Sequence, residues 1–135
     1  MKKSAGLLII NNNKILLCHP TRGPWDRSYS IPKGNIEKGE SILDAAIRET
    51  NEEVGLSINK DFVDEDKMEV IEYKNKKGKN YKLVYYFPIY VNISLEIIPK
   101  ENLQLDEVDW AGFLDKEEAK NKIFWRFDPM LNYIY

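Results

Sequence analysis

The sequence predicts an α+β fold in which a β-sheet is covered by helices. Several short apolar runs are bounded by turns rich in Asn, Gly and Lys, which is typical of strands. Residues 41–54 instead carry apolar side chains at helical spacing, and the last eight residues suggest a terminal helix. Strands that are interrupted by a central helix and closed by a terminal one form a sheet packed against helices.

Length and composition indicate one domain, residues 1–135, with an apolar share of 43% that is enough for a core. A net charge of −2 gives no broad attraction to nucleic acid, so we expect a small-molecule substrate and no stable nucleic-acid complex. The single cysteine, Cys18, excludes an internal disulfide, and no apolar run is long enough to cross a bilayer. We therefore expect a cytosolic protein without a membrane partner, either a monomer or a homodimer.

The first part of the chain predicts a β-hairpin followed by a loop. Ala5–Ile10 and Lys14–Cys18 are apolar runs separated by three asparagines, which tolerate the positive φ of tight turns. Thr21–Ser28 contains glycine and proline among polar residues and is predicted to be a loop. Tyr29–Pro32 is predicted to be a short extended segment.

The central helix is bounded by its own sequence. Ser41 followed by Asp44 resembles a capping box, and Gly55 lies where a helix-ending glycine is expected. Its buried face is predicted from the helical spacing of Leu43, Ala46, Ile47, Thr50 and Val54.

The second half predicts further strands and two helices. Pro88 is expected at a bulge or at an edge, and Pro129 at the first position of the last helix. The predicted strands are Met68–Lys74, Tyr81–Val91, Ile93–Ile98 and Val108–Phe113, and the predicted helices are Lys116–Asn121 and Asp128–Tyr135.

Three glutamates, Glu49, Glu52 and Glu53, share an arc of roughly 100° on the central helix. Carboxylates so close repel one another unless a cation lies between them, and Mg²⁺ binds carboxylates together with substrate phosphates. A solvated helix face is the alternative interpretation. Because the same helix has a separate apolar face, the glutamates border the core, which favours a metal site for phosphate chemistry.

The segment Gly34 to Leu56, GNIEKGESILDAAIRETNEEVGL, resembles the Nudix box, G-x5-E-x7-R-E-U-x-E-E-x-G-U, in which U is a bulky aliphatic residue. The departure is Thr50 at the first U. The resemblance to Nudix hydrolases implies an α/β/α sandwich with a mixed sheet, a loop-helix-loop box and a C-terminal helix. The matching positions are Gly34, Glu40, Arg48, Glu49, Glu52, Glu53, Gly55 and Leu56.

The resemblance also implies metal ligands. In that family the carbonyl matching Gly34 and the carboxylates matching Glu49, Glu52 and Glu53 ligate or surround divalent metals, so we expect two or three Mg²⁺ or Mn²⁺ ions at these residues. The implied reaction is hydrolysis of a pyrophosphate bond in a nucleoside diphosphate linked to another moiety. Bound metals lower the pKa of water, so no covalent nucleophile is needed.

Further roles concern the arginine and the general base. The family arginine that matches Arg48 holds the catalytic glutamates by ion pairing, and the glutamate that matches Glu40 contacts it. Candidates for the base are Glu52, Glu49 and, outside the box, Glu107. The resemblance leaves this choice open.

Weaker similarities point to the bis(5'-nucleosyl)-tetraphosphatase branch. Thr50 matches its R-E-T-x-E-E-x-G variant, and Ser30–Gly34, Lys82–Phe87 and Glu107–Trp110 resemble other segments of that branch. Together they favour a dinucleoside polyphosphate such as diadenosine tetraphosphate, or a 5'-triphosphorylated RNA end, over ADP-ribose. The alternatives are a housecleaning nucleoside triphosphate pyrophosphatase, an RNA 5'-end pyrophosphohydrolase and, in a different class, a non-catalytic nucleotide-sensing module.

Basic and aromatic residues supply candidates for substrate binding. Lys33 and Arg27 lie beside the box in sequence, and Lys82 belongs to a lysine run that is otherwise typical of a solvated hairpin tip. Tyr86 is a candidate to stack on a nucleobase, and an ordinary core aromatic is the alternative.

Overall fold

The computed structural model describes residues 1–135, which form one mixed sheet between helices. The strands are β1 (Lys2–Asn11), β2 (Lys14–Pro20), β3 (Lys33–Asn35), β4 (Glu69–Lys74), β5 (Asn80–Val91) and β6 (Val108–Leu114). The α-helices are α1 (Ile42–Val54) and α2 (Lys116–Lys122), and the 3₁₀ helices are three single turns (Lys60–Phe62, Glu65–Lys67 and Lys100–Asn102) and a longer C-terminal segment (Trp125–Tyr133). The strand order is β4-β5-β1-β2-β6, and β3 pairs with β1 beside this path. β1 and β5 run parallel, and the other pairs are antiparallel.

The predicted hairpin is confirmed, and Asn12 and Asn13 occupy its turn at φ values of 52° and 62°. β1 and β2 pair only beside this turn and then separate. Inside the gap β3 pairs with the start of β1, while Cys18 of β2 bridges to Ser30. The separation leaves the first residues of the box between two strands of the sheet.

Both faces of the sheet are buried under helices. Successive side chains of a strand point to opposite faces, so one strand contributes to both sides of the core. Leu7 and Ile9 of β1 pack on the α1 side, whereas Leu8 and Ile10 pack on the side of α2 and the C-terminal segment. The expected α/β/α sandwich is therefore confirmed. None of its helices has the length and hydropathy that crossing a membrane requires.

Helix α1 begins and ends where its sequence predicts. The Ser41 hydroxyl accepts a hydrogen bond from the Asp44 N–H at 3.0 Å, and Gly55 adopts φ 71° after the last turn. Thr50 is fully buried, and its hydroxyl donates to the Ala46 carbonyl at 2.8 Å. Threonine therefore replaces the bulky residue of the box pattern without leaving a buried polar group unsatisfied.

The prediction of a strand at Ile93–Ile98 was wrong. The Asn11 side chain accepts from the Ile93 N–H at 3.0 Å and donates to the Ile93 carbonyl at 2.9 Å, so these backbone groups join no ladder. Only an isolated bridge from Ile97 to Gly112 remains.

The C-terminal helix is present, but its predicted type and start need correction. It consists of 3₁₀ turns, begins at Trp125 rather than Asp128, and contains Pro129 in its interior. The Phe124 N–H donates to the Tyr29 carbonyl at 2.9 Å immediately before the segment. This contact with a distant part of the chain fixes where the segment begins.

Candidate active site

A cleft of about 640 Å³ lies between α1, the start of β3, the first residues of β5 and the segment before β6. Its lining carries groups of both charges, with the glutamates in excess over the basic groups. The acidic residues are Glu37, Glu49, Glu52, Glu53 and Glu107, and the basic residues are Lys33, Arg48 and Lys82.

Arg48 holds the glutamates of the box in place. Its Nε and Nη2 donate to the two carboxylate oxygens of Glu40 at 2.7 and 3.0 Å. Its Nη1 donates to Glu49 Oε1 at 2.9 Å and to Glu52 Oε2 at 3.1 Å. These bonds raise the pKa of Arg48, with the bond to Glu40 as the largest cause, and Arg48 in turn lowers the pKa of Glu40. The arginine therefore orients Glu49 and Glu52 by charge-assisted hydrogen bonds.

Glu53 is the most deeply placed of the box carboxylates. It accepts a hydrogen bond from the backbone N–H of Lys33 at 3.3 Å. Burial raises the pKa of Glu53 to about 8, and the charge of Lys33 opposes that rise. Burial likewise lowers the pKa of the Lys33 amine and raises the pKa of Glu49. The site thus holds carboxyl groups that a bound cation would favour in their ionised form.

Gly34 lies where β3 approaches α1 closely. A Cβ at this position would overlap the Glu49 carboxylate, so a side chain here would displace that carboxylate from its place beside Arg48. Any side chain here would occupy space beside a predicted metal ligand.

The donors of the cleft fit a hard divalent cation, because they are carboxylates that exceed the local positive charge. Glu49, Glu52 and Glu53 all line the cleft, yet no three acidic or histidine side chains converge on one point. Arg48 takes one oxygen each of Glu49 and Glu52. An ion would therefore be held by the oxygens that the arginine leaves free, together with Glu53.

The predicted basic residues divide into two groups. Lys33 and Lys82 line the cleft, as the sequence suggests. Arg27 does not, and this prediction needs correction. Its guanidinium donates to Asp128 Oδ2 at 3.0 Å and to the carbonyl of Lys120, which turns it toward α2 and the C-terminal segment.

Tyr86 is also absent from the cleft, and its burial favours the alternative interpretation, an ordinary core aromatic. It lies on the same face of β5 as Lys82, but four residues farther along the strand. There it is 3% exposed and its ring lies 6.3 Å from that of Tyr133. The sequence predicted the strand that contains Tyr86, but it did not predict how far Tyr86 lies from the cleft.

Glu107, the base candidate outside the box, does line the cleft. Its segment is tied to the loop after β2, since the Thr21 N–H donates to the Glu107 carbonyl at 3.0 Å.

Several residues of the cleft were not predicted. Cys18 and Ser30 face each other across the gap in the sheet, and burial raises the pKa of the Cys18 thiol, which keeps it protonated and unreactive. Gln104 joins the wall through its backbone N–H, which donates to the Glu53 carbonyl at 3.0 Å. The Ser30–Gly34 resemblance could have indicated Ser30, whereas no pattern marks Gln104.

Comparison with known proteins places this geometry in a family. The chain is 28% identical to the Ap4A hydrolase of Caenorhabditis elegans, solved as a binary complex, with a TM-score of 0.70 over 98% of this chain and 93% of that one. It is 34% identical over 110 residues to the m7GpppN-mRNA hydrolase of Saccharomyces cerevisiae, which covers 80% of this chain. The chain spans only 10% of that yeast protein.

A third relative matches a shorter segment. The RNA pyrophosphohydrolase of Ruthia magnifica subsp. Calyptogena magnifica is 46% identical over 50 residues, which is 37% of this chain and 27% of that protein. The model of the NUDIX domain matches residues 1–131. With the box carboxylates, their arginine and the sandwich fold all in place, this match over nearly the whole length shows that the chain belongs to the NUDIX domain family.

Proposed function

We propose that this protein hydrolyses a pyrophosphate bond in a nucleoside diphosphate linked to another moiety, and that its preferred substrate is a dinucleoside polyphosphate such as diadenosine tetraphosphate. The observation that carries the proposal is the cleft in which the box glutamates face Lys33 and Lys82. Likeness to the nematode Ap4A hydrolase over nearly the full length of both chains supports the substrate class.

Mg²⁺ or Mn²⁺ is the proposed cofactor, and Gly34, Glu49, Glu52 and Glu53 are the residues that would hold it. When bound, such ions activate water and neutralise charge on phosphate oxygens. The two cleft lysines would add positive charge beside the phosphate chain. Arg48 would keep the Glu49 and Glu52 carboxylates oriented in the cleft during the reaction.

Glu52 is our proposed general base. Its side chain is 46% exposed, compared with 13% for Glu49, so it reaches solvent water most readily. Glu107 lines the same cleft from outside the box and is the alternative base. Glu52→Gln should depress kcat more than KM while Glu107→Gln does little. The reverse ranking would move the base to Glu107.

A 5'-triphosphorylated or capped RNA end is the second candidate substrate, because the yeast and Ruthia relatives are named for action on RNA. Lys82, which lines the cleft, lies on β5 just after the lysine-rich turn that joins β4 to β5. The nucleotide-sensing alternative has less support, since Arg48 and every carboxylate of the box are in place.

The test is a panel of diadenosine tetraphosphate, ADP-ribose, an oxidised deoxynucleoside triphosphate and 5'-triphosphorylated RNA with Mg²⁺ or Mn²⁺. We expect diadenosine tetraphosphate to have the highest kcat/KM and to yield ATP and AMP. If another substrate of the panel has a kcat/KM at least tenfold higher, the proposed substrate is wrong. Hydrolysis of none of them would remove the enzymatic proposal. Localisation of the tagged chain to the cytosol is the expected result of the corresponding cell experiment.

A further inference from the structure

A buried histidine lies at the end of β2, beside the cleft but not in its lining. His19 is 1% exposed, and it is the only histidine of the chain. Its Nδ1 lies 2.5 Å from Asp109 Oδ1, and its Nε2 lies 3.0 Å from the Gly23 carbonyl oxygen and 3.1 Å from that of Pro24. The ring therefore joins β6 to the loop after β2, which consists of residues 21–28.

The partners of the ring indicate its protonation state. A carboxylate and a carbonyl oxygen only accept hydrogen bonds, and a neutral imidazole carries a single N–H. Both ring nitrogens must therefore be protonated for both ends of the link to form, because a neutral ring would aim a lone pair at an acceptor in a buried place. Trp25 favours the same state, since its indole stacks on the His19 ring at 3.6 Å between centroids and aromatic faces attract cations.

The charged and titratable groups around the ring leave Asp109 as its direct partner. Tyr29 presents its ring edge with the centroids 5.2 Å apart, and burial raises the pKa of Tyr29, so its phenol stays neutral. From α2, the Lys122 ammonium lies 5.8 Å from the centre of the Tyr29 ring, and Asp26 lies 3.7 Å from that ammonium and offsets its charge. The carboxylate in contact with the ring therefore favours a cationic imidazole.

The same link holds one side of the cleft. Pro20 follows the histidine and Glu107 precedes Asp109 by two residues, and both Pro20 and Glu107 line the cleft. Between them the Thr21 N–H donates to the Glu107 carbonyl at 3.0 Å, and the Thr21 hydroxyl donates to the Leu105 carbonyl at 2.8 Å. The position of this side of the cleft thus depends on contacts that surround the buried ring.

We propose that His19 is a positioning residue that, as an imidazolium, ties the loop after β2 to β6 and so holds the side of the cleft that Pro20 and Glu107 form. Loss of one ring proton breaks one end of the link, so substrate binding weakens as the pH rises. The box glutamates lie on α1, outside the link, so KM changes more than kcat. The effect on substrate rests on the proposed function, whereas the state of the ring does not.

Asp109 provides two variants with opposite expected outcomes. Asp109→Ala removes the acceptor and breaks the link. Asp109→Asn preserves the link around a neutral ring, because the amide N–H can donate to Nδ1 while the Nε2–H still donates to the loop carbonyls. Asp106→Ala is the matched control, since Asp106 is an exposed carboxylate of the same segment that neither lines the cleft nor contacts the ring.

NMR of the isotope-labelled imidazole observes the single histidine directly. In the wild type both ring nitrogens should be protonated at about pH 7, where an unperturbed histidine is mostly neutral, and in Asp109→Asn one nitrogen should be unprotonated. Backbone amide exchange of Thr21 measures the tie without substrate. At one fixed pH this exchange should be about tenfold faster or more in Asp109→Ala than in the wild type, Asp109→Asn or Asp106→Ala.

Steady-state hydrolysis of diadenosine tetraphosphate measures the consequence for the cleft. Asp109→Ala should raise KM by about tenfold and change kcat less than about threefold, whereas Asp109→Asn and Asp106→Ala should have KM values near that of the wild type. The wild-type KM should rise over the pH range in which NMR records loss of the ring proton. Asp109→Asn should lack that rise, because its link does not need the second proton.

A neutral ring in the folded wild type at about pH 7 would overturn the assignment. Unchanged Thr21 exchange or unchanged KM in Asp109→Ala would also overturn it, as would equal changes in Asp106→Ala. Circular dichroism checks that the variants fold, and if Asp109→Ala does not, the ring state and the KM of the wild type and Asp109→Asn across pH decide. If no substrate is hydrolysed while the ring and Thr21 behave as expected, the proposed function is wrong and the link stands.

Discussion

The two walls of the cleft differ in how the chain builds them. The α1 wall takes Arg48, Glu49, Glu52 and Glu53 from six consecutive residues. The Arg48 guanidinium, which also bonds Glu40, sets the orientation of Glu49 and Glu52. The opposite wall collects side chains from β3, β5 and the segment before β6, which are far apart in sequence. Groups on the first wall are fixed by helical spacing, whereas those on the second depend on strand register.

The largest expected effect tests the metal site of the α1 wall. Glu53→Gln removes a ligand charge but little volume, so we expect kcat to fall by about three powers of ten or more with the fold intact. Chelation of the wild type should abolish turnover, and Mg²⁺ or Mn²⁺ should restore it. Glu117→Gln, on α2 outside the cleft, is the control and should behave as wild type. Full activity in excess chelator would contradict the metal assignment.

The next effect concerns orientation, and it compares two arginines. Lysine cannot reproduce the fork by which Arg48 bonds Glu40, Glu49 and Glu52, so Arg48→Lys should lower kcat/KM by about a hundredfold. Arg27→Lys, at the arginine that the fold turns away from the cleft, should lower it less than about threefold. Similar losses in both variants would mean that the Arg48 network has no special role.

A smaller effect separates packing from binding on β5. Tyr86→Ala should reduce the free energy of unfolding by about 3–5 kcal/mol, because it empties a buried aromatic site, and should leave KM near the wild-type value. Tyr90→Ala is the control, since Tyr90 is on the same strand and 69% exposed. Denaturant unfolding and steady-state kinetics measure the two quantities. A stable Tyr86→Ala protein with a raised KM would return Tyr86 to the substrate site.

The smallest effect is a pH dependence of stability in the metal-free protein. The pKa of the Glu53 carboxyl rises from 4.5 in the unfolded chain to about 8 in the folded protein. The contribution of Glu53 to the free energy of unfolding is therefore fully present below about pH 4.5 and is lost as the pH rises toward 8. Between pH 5 and 8 the melting temperature should therefore fall more in the wild type than in Glu53→Gln, by a margin on the order of 5 °C. Lys33 is retained in both proteins, so the variant isolates the carboxyl. Added Mg²⁺ should reduce the fall, and parallel profiles without metal would contradict the burial of an ionisable Glu53.

The predicted elements are confirmed where residues close in sequence determine their ends. Ser41 and Gly55 bound α1 because capping depends on neighbouring residues, and the asparagines after β1 make its turn because they tolerate positive φ. The strand predicted at Ile93–Ile98 did not form: the Asn11 side chain takes the backbone groups of Ile93, and only Glu96 and Ile98 bond the backbone of β6. No periodic pattern in the segment itself records that contact.

By itself, then, the sequence determined the helix that carries the three glutamates, their spacing and the arginine that bonds Glu49 and Glu52, since all lie within two turns of one helix. Only the tertiary structure decided which distant side chains face that helix. Arg27 turns away from the cleft and Tyr86 is buried farther along β5, whereas Gln104 and Glu107 line the cleft. The physical reason is that strand pairing and loop anchoring place these groups through hydrogen bonds between residues far apart in the chain.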